Sequence, residues 1–154
     1  MISADDFCWF VDRALEQMVA IVLGLGDEGA NAAPELPGAN SPYAILTHCL
    51  GVVSWWGGRT VAGREVERDR DAEFVATGST AELARRAESV RTQFHADVAG
   101  AEMGAPPRVP TAAADATSPL GSTQGGALLH VYEELSQHLG QMELTRDLLV
   151  AARG

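Results

Sequence analysis

A chain of 154 residues has room for one domain with a continuous hydrophobic core. Its composition, 46% hydrophobic and 21% charged, is that of a folded globular protein and excludes a disordered or fibrous one. The formal net charge of −10 repels phosphate backbones, so nucleic acid is excluded as a partner although all 11 cations are arginines.

The first residues, Met1-Ile-Ser-Ala-Asp-Asp6, lack the positive charge and cleavage pattern of a signal peptide. The longest apolar run, residues 18–25, is too short to cross a bilayer, so no membrane partner is expected. Cys8 and Cys49 form no metal-ligand spacing and read as reduced, buried thiols in a cytoplasmic protein. An arginine-rich chain without lysine fits a GC-rich genome.

Periodicity predicts a first helix over about residues 4–25, with Ser3 as its cap. Phe7, Phe10, Val11, Ala14, Leu15, Met18 and Val22 form its apolar stripe, and Gly24-Leu-Gly26 ends it. A polar Pro/Gly-rich connection follows. Ser41-Pro42, a cap residue with proline in the first helical position, opens a second helix that runs to about Val61 and weakens at Gly57-Gly58. Residues 63–78 read as a charged, solvated loop, because the run from Glu65 to Asp71 alternates in sign. Ser79-Thr-Ala-Glu82 has the spacing of a capping box and starts a third helix ending near Val98, with Leu83, Ala87, Val90, Phe94 and Val98 inward. Residues 100–122 hold four prolines and read as a long surface loop. A fourth helix runs from Ser122 or Thr123 to Ala152 on Leu128, Val131, Leu135, Met142, Leu148 and Leu149. With no credible strand, the expected architecture is a single all-α domain over residues 1–154, a four-helix bundle with long loops.

The polar residues of the fourth helix carry the functional signal. His130, Glu134 and His138 recur at intervals of four, and Gln141 falls near the same line, so all sit on one helical face. Such a ladder in an apolar helix needs partners, and a divalent ion would supply them. His48 lies among Ala44, Ile45 and Val52 on the second helix and points to the core. Two histidines and one carboxylate would leave coordination positions open, as catalytic sites do. The residues alone also allow plainer roles: a solvated Glu–His pair, and a core histidine with its hydrogen bonds satisfied. His130 reads either as an alternative ligand, as a partner of Glu134, or as a solvent-facing histidine; Gln141 reads as a group orienting a ligand. His95 reads as a surface residue. Trp55 and Trp56 are either walls of a substrate pocket or core and interface tryptophans, and Arg59 is either a substrate-carboxylate partner or a surface cation. Neither a nucleophilic triad nor a phosphate-binding glycine loop is present, and Gly125-Gly126 reads as a helix start.

His138-Leu-Gly-Gln141, preceded by Glu134, resembles the ligand segment of the DinB/YfiT superfamily of metal-binding four-helix bundles. Leu46-Thr-His48 with Trp55-Trp56 downstream resembles that superfamily's first-ligand segment, and order, spacing and length agree over essentially the whole chain. The resemblance implies the triad His48, Glu134 and His138. Many relatives carry histidine in place of Glu134; the mycothiol-dependent branch, typified by maleylpyruvate isomerase, is similar to this sequence in using Glu-xxx-His. It therefore implies thiol chemistry: a divalent-metal-dependent S-transferase or isomerase in which a low-molecular-weight thiol such as mycothiol attacks an electrophilic small molecule. Zinc suits the donors first, with nickel or iron as further occupants. A homodimer is expected from the resemblance and the tryptophan-rich second helix. The competing expectations are a non-catalytic metal- or small-molecule-binding bundle, a metal-dependent hydrolase, and a metal-free dimeric interaction domain.

Overall fold

The structure, a computed structural model, describes residues 3–111 and 118–152. Among the described residues, six α-helices follow in chain order: α1 (Ala4–Asn31), α2 (Pro42–Val53), α3 (Arg70–Glu73), α4 (Thr80–Ala99), α5 (Pro119–Ser122) and α6 (Gln124–Ala151). The four long ones, α1, α2, α4 and α6, form the bundle, and the fold is all-α with no strand among the described residues. None of these helices is long and apolar enough to cross a membrane.

The second helix is the centre of the bundle. Every residue of α2 except Tyr43 is buried, and α2 packs against α1, α4 and α6. A helix apolar all round must be surrounded. Leu15 and Met18 of α1, Ile45, Leu46 and Leu50 of α2, Phe94 of α4 and Leu135 and Met142 of α6 fill the core. Each side chain of that size contributes about 1.5–3 kcal/mol by leaving water. Two expected core positions lie outside: Phe10 is 50% exposed and Leu148 is 48% exposed. Phe10 sits at the edge of its stripe, packing on Trp9 and Tyr132, and Leu148 lies at the bundle rim beside Pro34 and Leu36.

Several boundaries differ from the periodicity for identifiable reasons. α1 does not stop at Gly26. That residue takes φ 66° and ψ 177°, kinking the helix, which then resumes to Asn31. The resumed turn is held from outside: Asp27 accepts from the backbone and hydroxyl of Thr80, and Asn31 exchanges two hydrogen bonds with the backbone of Gly78. Asp27 thereby caps α4, and Ser79 makes no side-chain cap bond, so the expected capping box is absent there. A reciprocal box forms instead at α1, between Ser3 and Asp6. Beyond Val53 the second helix widens into a π-helical segment, Ser54–Val61, with Gly57-Gly58 inside it. Such segments recur at functional sites.

The loops are strapped down. Arg108 donates its backbone N–H to the Thr60 carbonyl, and buried Gln124 bonds Glu102 and Pro106 at the start of α6. Residues 112–117 of the expected long loop lie outside the described residues. Residues 63–78 are not simply solvated: Arg64 pairs with buried Asp97 at 2.8 Å, and Asp69 caps the single turn of α3.

Candidate metal centre

His48 is placed by the apolar helix around it and is 2% exposed. Its Nδ1 lies 2.9 Å from Oε2 of Glu73, and the Phe74 ring stacks on it with centroids 4.5 Å apart. Burial, partly opposed by the hydrogen bond to Glu73, lowers the pKa of this imidazole, which favours the neutral ring at neutral pH. With Nδ1–H donated to a carboxylate, the Nε2 lone pair is left facing α6.

On α6 the ladder takes the geometry that its spacing requires. Oε2 of Glu134 lies 3.4 Å from His48 Nε2 and 3.6 Å from His138 Nε2. His138 Nδ1 lies 2.8 Å from Oε1 of Gln141, so its Nε2 is likewise directed to the cluster. The ligand atoms of His48, Glu134 and His138 all lie within 4.8 Å of one another. Three acceptors thus face each other: two imidazole lone pairs and a carboxylate oxygen. Only a proton or a cation between them makes that arrangement favourable. Tetrahedral ligands about 2.0–2.1 Å from zinc stand about 3.3 Å from one another, close to the two shorter separations here. The donor set fits a divalent metal ion.

His130 stands apart. Its Nε2 is 3.9 Å from the other oxygen of Glu134, its Nδ1 pairs with Glu133 at 3.1 Å, and its ring meets the buried Trp56 edge-on. Trp55 is half-buried and carries the Arg59 guanidinium over its face at 4.5 Å. His95 lies at the surface, paired with Asp12 at 2.9 Å. Neither cysteine is poised as a nucleophile: burial pushes the Cys8 thiol up to about 11 and the Cys49 thiol far above its usual range.

Sequence reasoning missed Glu73 and Arg68, both on the stretch read as solvated. Glu73 is 7% exposed, and Arg68 grips its carboxylate through Nε at 2.7 Å and Nη2 at 2.9 Å. A signal was present. Arg64, Val66 and Arg68 alternate with exposed Glu65, Glu67 and Asp69, a period-two pattern that turns every second residue inward.

The all-helical bundle is consistent with the DinB/YfiT type, and its one cluster of ligand-type side chains among the described residues spans α2 and α6. The chain belongs to the mycothiol-S-transferase family, whose profile matches residues 7–151. Among solved structures it is similar to a conserved protein from Enterococcus faecalis, with a TM-score of 0.72 and 15% identity over 98% of this chain and 99% of that one, a likeness of fold. No curated protein matches.

Proposed function

We propose that the protein is a divalent-metal-dependent S-transferase that joins mycothiol, or a thiol of that kind, to a small electrophile. Family membership supports the thiol. The three facing acceptor atoms of His48, Glu134 and His138 support the ion, and they are the observation that carries the reading. In the reaction the thiol gives its proton to solvent, its sulfur forms a bond to an electrophilic carbon, and the leaving group departs with its electron pair. In an isomerisation no other group departs: the sulfur adds across a conjugated double bond, the resulting single bond rotates, and the sulfur leaves with its electron pair as the double bond re-forms. A free thiol, with pKa about 8.5, is mostly protonated at neutral pH. A divalent ion at the triad would lower that pKa and act as a Lewis acid.

The chain's own residues supply position and charge. His48 and His138 turn their Nε2 atoms to the cluster, each ring held through Nδ1, by Glu73 and Gln141 respectively. Glu134 brings the negative charge. Arg59, held on the Trp55 face, offers a carboxylate anchor, and Trp56 beside His130 offers an apolar wall. The nucleophile comes from outside, since Cys8 and Cys49 are buried. Zinc is the first choice of ion, and iron or nickel suits the same donors. A reduced, cytoplasmic setting belongs to this reading, compatible with two free cysteines. So does a homodimer, for which Trp9 and Leu129, 55% and 62% exposed, provide apolar surface.

The test is conjugation of mycothiol to 1-chloro-2,4-dinitrobenzene and a panel of other electrophiles by zinc-loaded protein. The expected result is thioether formation above background that disappears on chelation. Metal-loaded protein inert across the panel would leave a non-catalytic metal-binding bundle.

A further inference from the structure

The segment between α2 and α4 reaches the candidate site from behind. Glu73 contacts the edge of the His48 ring away from Glu134, and Phe74 covers its face. Rotation of the imidazole would break both contacts. Arg68 binds both oxygens of the same carboxylate, and its Nη2 lies 3.4 Å from His48 Nδ1. Two cationic or neutral N–H groups cannot donate to each other, so Nδ1–H goes to Glu73 and Arg68 serves the carboxylate.

A buried carboxylate beside a metal ligand has two effects of opposite value. It orients the ring, but a second negative charge next to Glu134 would cancel the positive charge that a divalent ion brings. Arg68 removes that conflict. Paired with Glu73 it makes a unit of zero net charge, so Glu134 remains the one uncompensated charge of the donor set. Two charges on an ion less one on Glu134 leave one to stabilise an anionic sulfur.

Space for the unit comes from Gly51. It follows His48 by nearly one helical turn on α2, and its backbone is ordinary α-helix. A methyl group there would collide with Oε1 of Glu73, stand 2.7 Å from its Cδ and 3.2 Å from Nε of Arg68. Glycine inside a helix is unfavourable relative to alanine, and here the missing Cβ is the volume that the carboxylate occupies.

We propose that Glu73, Arg68 and Gly51 form a charge-neutral positioning device that fixes His48 for a divalent ion and leaves the site one net positive charge for an anionic thiol sulfur. The proposal rests on the metal reading above. It differs from a plain structural ion pair in its consequences. The segment is pinned independently by Arg64–Asp97 and by the Asp69 cap, so neutral replacements at 68 and 73 leave it anchored.

The experiment measures zinc affinity by competition with a chromogenic chelator, and the absorption spectrum of the cobalt(II) form, with metal-free melting as the check on folding. Glu73→Gln keeps the acceptor for Nδ1–H but strands the Arg68 cation beside the site. It should weaken zinc about 10–100-fold, as should Gly51→Ala. The double variant Glu73→Gln/Arg68→Met removes both charges, retains the acceptor, and should return affinity to within about threefold of wild type with the wild-type cobalt spectrum. Wild-type affinity in both Glu73→Gln and Gly51→Ala, with zinc lost in His48→Ala, would overturn the device and leave the metal site standing. A loss in Glu73→Gln that the double variant fails to recover would overturn it as well, marking a structural ion pair. Zinc retained in His48→Ala would remove the metal reading itself.

Discussion

The two arms of the candidate site are built differently. The α2 arm is a single histidine, 2% exposed, gripped on its edge by an ion-paired carboxylate and on its face by Phe74. The α6 arm is Glu134 and His138, whose side chains are 25% and 22% exposed, with His138 held by the exposed amide of Gln141. A buried, charge-assisted hydrogen bond fixes its partner more firmly than an exposed neutral one. Rigidity therefore lies on the closed side, and the arm open to solvent, where the proposed thiol and electrophile would arrive, is the more adaptable. The same contrast separates the two cysteines from an incoming thiol: the protein's own sulfurs are locked in the core, and the site faces outward.

That contrast can be broken experimentally. The largest effect should come from the closed arm. His48→Ala should weaken zinc by more than about 100-fold in chelator competition, with helical circular dichroism retained, because no other donor can enter the buried position. Next, Glu134→Gln keeps the volume but removes the charge and should cost about tenfold or more in the same titration. Unchanged affinity would promote His130 to ligand. Gln141→Ala, on the open arm, should cost less than Glu73→Gln because solvent replaces the lost hydrogen bond. An equal or greater loss would reverse the assignment of rigid and adaptable arms. Smallest of all, alkylation of native protein by iodoacetamide at pH 8 should be slow at both cysteines and rapid after unfolding, since burial holds the Cys8 pKa at about 11. For comparison with the core, Leu50→Ala should cost about 2–5 kcal/mol in urea denaturation without lowering zinc affinity in the folded fraction.

The bundle was legible because its helices carry strong signals: Ser3, Ser41-Pro42 and apolar residues at three-and-four spacing. What periodicity could not reveal was tertiary. The continuation of α1 past Gly26 depends on Asp27 and Asn31 meeting residues 78–80, far along the chain. The capping box at Ser79 lost to Asp27 for the same reason. At the site, convergence of Glu134 and His138 follows from helical spacing, and His48 declared itself as a polar residue in an apolar helix. Glu73 and Arg68 were hidden because charged residues at alternating positions look solvated until the partner surface is known. Here that surface is α2, and Gly51 provides the opening.

The measurement that tests the account most directly is elemental analysis of untagged protein purified without chelator, beside His48→Ala prepared identically. The account predicts about one zinc or similar divalent ion per chain in the wild type, and its loss in a variant that remains folded. An ion-free wild type after reconstitution, or a variant that keeps its ion, would contradict it.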